Sequence, residues 1–326
     1  MPRIVIVGID EAGYGPMLGP LVVGMTAFRV ENAEKVPDLW EMLDRAVSRK
    51  LSDSKSRLPV ADSKKLKLSN SGRRHPLTHL ERAALAFMTM RGQTPADDGE
   101  LFTRLGTRLS DQPWYAGPPA PVPCANSAPS LALDASVLRS ACARAGVSFL
   151  DARALCICED QFNRIVDRTG TKASTTARAI VRHIRRIASS KSAADPETRV
   201  CVACDRLGGR TRYSRLLRVA LPGWRVDEAE RTPARSTYSC TSADGIRRIA
   251  FCFQPEAETA FLPVALASIY AKYVRELAMA RMNRHFIARI PELKPTAGYT
   301  TDARRWLRDA GSAITDEERR TLVRIS

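Results

Sequence analysis

Asp10 and Glu11 stand side by side in the stretch GIDEAGYGP (8–16), directly after the apolar run IVIV. Adjacent carboxylates repel each other, and taking either out of water is costly unless a cation sits between them. A solvated turn at a strand end is the simplest home for such a pair. Acids elsewhere in the chain suggest a second one. Asp205 closes the apolar run VCVACD, and Glu256 and Glu258 lie in QPEAETAF, after the run IRRIAFCFQ. Carboxylates at the ends of neighbouring strands meet in space however far apart they are in sequence. Such a cluster is unfavourable when empty and favourable around hard divalent cations, and all-oxygen ligands suit Mg²⁺ or Mn²⁺. Two such ions, roughly 3.5–4 Å apart, can activate a water and stabilise the leaving oxygen in phosphodiester hydrolysis.

The composition agrees with a polyanionic partner. The 326 residues carry a formal net charge of +16, and 44% of them are hydrophobic, ample for a core. A positive field of this size draws polyanions and holds them in a salt-dependent way, nucleic acid first and an anionic membrane surface second. MPRIVIVG is too short and strand-like for a signal peptide, and no apolar run approaches membrane-spanning length. The eight cysteines then read as free thiols of a soluble, cytoplasmic protein. Cys201 and Cys204 fall on opposite faces of a strand, so they cannot clasp one ion. Cys156 and Cys158 lack a second pair at zinc spacing, and His75, His79, His183 and His285 form no ligand pattern.

Several elements must position these acids. IVIVG and PLVVGMTAFRV read as strands joined by a Gly-rich turn, followed by a polar Ser/Lys-rich stretch and a helix over 77–91. The Pro-, Ala- and Ser-rich run PWYAGPPAPVPCANSAPS can continue neither a helix nor a central strand. Trp114 and Tyr115 within it are expected to pack on their own domain. A helix is predicted over 134–146 and a strand region over 147–159. The helix over 174–188 is the most amphipathic, with Ser174 as cap and Ile180, Ile184 and Ile187 as core stripe. Arg178, Arg182 and Arg185 line another face, read as solvated surface. Strands over 200–205 and 246–254, a long helix over 262–282 and a last helix ending at Gly311 complete the pattern. A mixed sheet flanked by helices follows.

With these segments in place the chain resembles a known family. GIDEAGYGPMLGPLVVG resembles the opening motif of ribonuclease HII, the type 2 ribonuclease H family, where DEAG leads into a Gly-basic-Gly turn and then GP. VADSKKL resembles the family's DSK motif, and VACD the strand carrying its third acid. ALASIYAKYVRE is similar to the AASI-x-AK-x-x-RD helix, and AGYTTDARRWL to the C-terminal GY segment. The implied fold is α/β: a ribonuclease H-like mixed sheet flanked by helices in one domain over 1–326. An insertion at about 70–150 and a C-terminal helical extension at about 285–326 complete it.

Residue by residue, the resemblance implies paired acids at Asp10 and Glu11 and a third at Asp205. The fourth falls at Glu258, ten residues before Ser268, where the family has Asp. Glu is longer by one methylene, and with metal–oxygen distances of about 2.0–2.1 Å either the backbone retreats or the ion moves. The related type 3 enzymes carry Glu there. Glu256, taken to share a strand face with Glu258, is the rival ligand. Gly13-Tyr14-Gly15 matches the turn whose main chain reads a 2′-hydroxyl. Tyr14 replaces the basic residue, so a phosphate contact is lost while the main-chain donors remain; its ring either stacks on substrate or packs over the turn. Lys64 matches the DSK lysine, implying a phosphate contact, whereas Lys55 in the earlier DSK lacks the following KL. Tyr299 matches the tyrosine that stacks at the RNA–DNA junction. Ser268, Lys272 and Arg275 share one side of the long helix, as substrate-side support or as ion-pair partners of Glu276.

The expected activity is endonucleolytic, metal-dependent cleavage of the RNA strand of RNA–DNA hybrids, extending to single ribonucleotides embedded in duplex DNA. The products would be a 5′-phosphate and a 3′-hydroxyl. Asp10, Glu11, Asp205 and Glu258 would hold two Mg²⁺ or Mn²⁺ ions, and the protein would act as a monomer. Two alternatives stay open: a ribonuclease H-like nuclease of another specificity, suggested by Tyr14, and a hybrid-binding protein without catalysis, suggested by Glu258 and the insertion.

Overall fold

The computed structural model describes residues 2–325. Seven strands form its main sheet: β1 (Arg3–Ala12), β2 (Leu21–Glu31), β3 (Val147–Ile157), β4 (Thr198–Asp205), β5 (Arg225–Arg231), β6 (Ser236–Thr241) and β7 (Arg248–Gln254). Their order is β3-β2-β1-β4-β7-β6-β5. β1 runs parallel to β4, and β4 parallel to β7, whereas β2 is antiparallel to both β1 and β3. The three strands that carry or precede the acids therefore sit together in the middle and point the same way. β1 shows why the sheet is covered on both sides. Ile4 and Ile6 enter one apolar core while Val5, Val7 and Ile9 enter another, as the two-residue side-chain period requires. Cys201 and Cys204 divide between the same two faces.

The first face is covered by α1 (Thr78–Thr89), α2 (Ala128–Ala145) and the long α4 (Leu262–Arg289); the second by α3 (Ala173–Ala188) with its neighbours. α4 lies unusually close to the sheet. A Cβ on Gly8 would stand 2.1 Å from the Pro263 carbonyl carbon, and one on Gly24 would stand 2.1 Å from the Ala267 oxygen. Only glycine allows that approach. The Thr26 hydroxyl donates to the Pro263 carbonyl at 2.7 Å and fixes the same crossing. This contact sets the depth at which α4 presents its first turns to the acidic end of the sheet. Among the described residues no helix is long and apolar enough to cross a membrane.

Several boundaries differ from the sequence reading. α2 begins at Ala128, inside the stretch expected to exclude a helix. Ser127 caps it by accepting the Ser130 N–H, and Pro129 occupies the first turn, where no N–H is needed. α3 begins at Ala173, so Ser174 lies within the helix and does not cap it; its N–H donates to the Thr171 carbonyl. Ile180, Ile184 and Ile187 are buried as expected. α4 continues seven residues beyond Met282, into the segment read as a separate extension. The hairpin β5–β6 had no visible signal, because RVDEAER is an exposed, charged edge strand whose alternation is weak.

The segment at about 70–150 packs into the first core. Trp114 and Tyr115 are buried there, with the Trp114 ring 6.0 Å from that of Phe286. Asp98, itself buried, takes a bidentate pair of hydrogen bonds from Arg281 of α4 at 2.5 and 2.7 Å.

One buried base has a consequence for stability. His183 on α3 lies with Nε2 3.0 Å from the Val23 carbonyl, which can only accept, so Nε2 carries the proton. Burial pulls the imidazole down to about 4 from 6.5. The unfolded chain thus binds a proton near pH 6.5 that the native state refuses. Stability from this group is complete above pH 6.5 and is lost as the pH falls towards 4. Urea unfolding at pH 7 and pH 4 should show wild type losing roughly 3 kcal/mol more than His183→Gln. Equal losses would show that the site accommodates the imidazolium.

Candidate active site

Asp10 and Glu11 lie at the end of β1, where Asp10 pairs with Gly24 and Glu11 with Val23 of β2. Asp205 is the last residue of the adjacent β4 and pairs with Gln254 at the end of β7. The chain then reverses at Glu256, a non-glycine residue in the left-handed region (φ 52°), and enters the one-turn helix Ala257–Ala260. That turn exposes Glu256 and swings Glu258 inward, so the two do not share a strand face as expected. The Ala257 N–H donates to Asp205 Oδ1 at 3.1 Å and ties the turn to β4.

Asp10, Glu11, Asp205 and Glu258 line one cavity of about 240 Å³, together with Gly13–Pro16, Asp62, Ser63, Lys64, Ser268, Lys272 and Tyr299. The four expected acids meet here with Gly13–Gly15, Lys64 and Tyr299, whereas Glu256, the rival ligand, and Arg275 are outside the lining. Asp62 was missed. It caps the short helix Ser63–Leu66 by accepting the Lys64 N–H, while its charge reaches Glu258. An Asp directly before Ser-Lys-Lys is a helix-cap signal, and it hides a second use.

The electrostatics of the cluster run one way. Burial, then the charge of Glu11, hold Asp10 well above the usual carboxylate range, with the Ser268 hydroxyl drawing it partly back. Burial, then Asp205, push Glu11 up to about 7 against the opposing pull of Lys64. Asp205 is raised by burial despite N–H donors from Ala257 and Arg206. Glu258 is raised by burial and by the charges of Asp205 and Asp62, and its Oε2 is buried without a hydrogen-bond partner. Among the described residues no three candidate ligands are already closed around a common point. Like charges favour that separation. Four raised carboxylates, one with an orphaned oxygen, form an all-oxygen donor set that fits hard divalent cations.

The neighbouring groups divide by role. The Ser63 and Ser268 hydroxyls lie 2.9 Å apart and join the DSK segment to α4. Lys272 forms an ion pair with Glu276 at 3.0 Å, as the simpler of its two readings held. Arg275 is fully buried and donates to the Leu18 and Ala297 carbonyls, so it supports the loops and makes no surface contact. Tyr14 and Tyr299 are 38% and 49% exposed, unusually open for aromatics. Gly13 needs to be glycine: its φ is +89° and a Cβ would crowd Arg275 and the Pro20 carbonyl at 2.6 Å. Gly15 faces open space, so the two glycines serve different ends.

No protein-family model and no curated protein matches the chain. Among solved structures it is similar to RNase HII of Archaeoglobus fulgidus, determined with PCNA. Identity is 15%, coverage 98% of this chain and 94% of that one, and the TM-score 0.41. It is also similar to ribonuclease H2 of Pyrococcus horikoshii OT3, at 14% identity over 96% and 89% of the chains with a TM-score of 0.41. A third similarity is to Bst-RNase HIII in complex with Mn²⁺, at 17% identity over 98% and 66% with a TM-score of 0.38. The strand order and the helices on both faces make this an α/β protein with a mixed seven-stranded sheet.

Proposed function

We propose that the protein is a metal-dependent endoribonuclease acting on the RNA strand of RNA–DNA hybrids, including single ribonucleotides within duplex DNA. The observation that carries this reading is the convergence of four carboxylates from three segments on a cavity shared with Gly13–Gly15 and Lys64. Asp10, Glu11, Asp205 and Glu258 would hold two Mg²⁺ or Mn²⁺ ions. Bound there, such ions supply Lewis acidity to the phosphoryl group and lower the pKa of water. The chain supplies the rest. Lys64, exposed at the cavity rim, offers an ammonium to a phosphate. The main-chain donors of the Gly13–Gly15 turn offer hydrogen bonds to a 2′-hydroxyl, with Gly15 leaving room for a sugar. Tyr299, half exposed at the cavity with Lys272 and Arg275 over its ring, offers an aromatic surface on which a base or sugar can stack. The surplus of basic residues holds the duplex by its phosphates, in a salt-dependent way.

The test is a substrate panel: an RNA–DNA hybrid, a duplex with one embedded ribonucleotide, and plain duplex DNA, each with Mg²⁺ and with Mn²⁺. Cleavage of the first two with 5′-phosphate products, and none of the third, is expected. Equal cutting of plain DNA would reject selection by the 2′-hydroxyl and favour a nuclease of other specificity. Salt-sensitive binding with no product under either metal would reject catalysis altogether.

A further inference from the structure

The Gly13–Tyr14–Gly15 turn is held from beneath by a residue about three hundred positions away. Arg324, 3% exposed, reaches under it from the segment that follows the helix Asp316–Leu322. Its Nη1 donates to the Gly13 carbonyl at 2.5 Å and to that of Gly19 at 3.4 Å, and its Nη2 donates to the Tyr14 carbonyl at 2.7 Å. The Arg324 N–H donates to the Met17 carbonyl at 2.9 Å, and the guanidinium lies 3.8 Å over the Phe162 ring. Burial, then the nearby charge of Arg275, bring the guanidinium down to about 10, so it stays charged at neutral pH. Asn163 fastens this segment on both sides of Arg324. Its amide donates to the Val323 carbonyl at 2.9 Å, and its oxygen accepts the Ile325 N–H at 2.9 Å.

A trans peptide is planar, so its C=O and N–H point in opposite directions. The Gly13 carbonyl shares a peptide with the Tyr14 N–H, and the Tyr14 carbonyl shares one with the Gly15 N–H. Pinning both carbonyls down onto one planar fork turns both N–H groups outward, away from Arg324. Among the described residues neither N–H has a backbone acceptor, and both residues line the acidic cavity. Two successive outward N–H groups form a concave donor pair suited to an oxygen ligand. A cation on the far side of each peptide also polarises it and strengthens the donor.

We propose that Arg324 is the positioning residue of this turn: it aims the Tyr14 and Gly15 N–H groups at the sugar hydroxyl and polarises their peptides from below. The inference rests on the nuclease reading for the identity of that hydroxyl. Lysine cannot replace the fork, since one ammonium does not bridge two carbonyls in a fixed plane.

The decisive measurement is discrimination: the ratio of Kd for the all-DNA duplex to that for a ribonucleotide-containing duplex, by fluorescence anisotropy in EDTA, alongside single-turnover cleavage. Arg324→Met should lower discrimination by about tenfold to a hundredfold, the worth of one or two charge-assisted hydrogen bonds. Binding to all-DNA duplex should stay close to wild type. Arg324→Lys should fall between the two. Asn163→Ala, which loosens the segment and keeps the charge, should lose discrimination in the same direction by a smaller factor. It also decides the matter if Arg324→Met melts below the assay temperature. Folded variants that discriminate as wild type does would overturn the inference alone. A wild type blind to the 2′-hydroxyl in both measurements would overturn the nuclease reading and this inference with it.

Discussion

Asp10→Asn is expected to remove cleavage on the order of a thousandfold or more, about 4 kcal/mol of transition-state stabilisation, while duplex affinity stays within a few-fold of wild type. Asn has the shape of Asp and keeps an oxygen for the Glu11 N–H, which lies 2.7 Å from Asp10 Oδ1. What it loses is charge. Asp10 is the most enclosed of the four acids, 8% exposed between Glu11 and Asp205, so no other carboxylate can take its place. On the proposed reading the substrate is held elsewhere, by Lys64, the Gly13–Gly15 turn and Tyr299, so affinity should hardly change. A second readout separates a metal role from a folding role. Without metal, burial and then the charge of Glu11 oppose ionisation of Asp10. The variant should therefore melt at a higher temperature than wild type in EDTA, and should show a smaller rise when Mg²⁺ or Mn²⁺ is added. Retained cleavage, or an unchanged metal-induced rise, would sink the assignment of Asp10 as a ligand.

Glu81→Ala should be the most damaging single change to stability, at about 4 kcal/mol. Glu81 is fully buried on α1 and accepts five hydrogen bonds. They come from the Cys124 N–H and thiol, the Ala125 N–H, the Asn126 amide and the Tyr273 hydroxyl. Three parts of the chain meet at this carboxylate: α1, the loop at 124–126 and α4. Alanine leaves buried donors unmet, and each unmet donor costs about 1–3 kcal/mol, less when several can relax together. Glu81→Gln keeps one acceptor oxygen and should lose less. Urea unfolding of the two variants is the measurement. A loss below about 1 kcal/mol for alanine would mean that the loop at 124–126 rearranges to satisfy its donors elsewhere. Cleavage should fall only as far as the folded fraction falls, because Glu81 lies away from the acidic cavity.

Much of the local structure was legible. IVIVG, PLVVGMTAFRV, VCVACD and IRRIAFCFQ declare strands through runs of branched and aromatic residues, and the isoleucines at 180, 184 and 187 declare a helix. These signals act over a few residues, so a linear reading recovers them. The start of α2 was misplaced because Pro129 breaks a helix interior but not its first turn. The edge hairpin went unseen because its outer strand, RVDEAER, is charged and exposed along most of its length.

The site divides along the same line. The sequence by itself determined which acids could act, their placement after apolar strands, and the glycine at position 13, since residue type and strand period are local properties. Tertiary structure decided that Glu258 and not Glu256 enters the cavity, because a single left-handed residue redirects the chain. It alone brought Asp62 beside Glu258 and Arg324 beneath the Gly13–Gly15 turn. Those contacts depend on strand order and on what is buried against what, and no pattern within a short window encodes a partner about three hundred residues away.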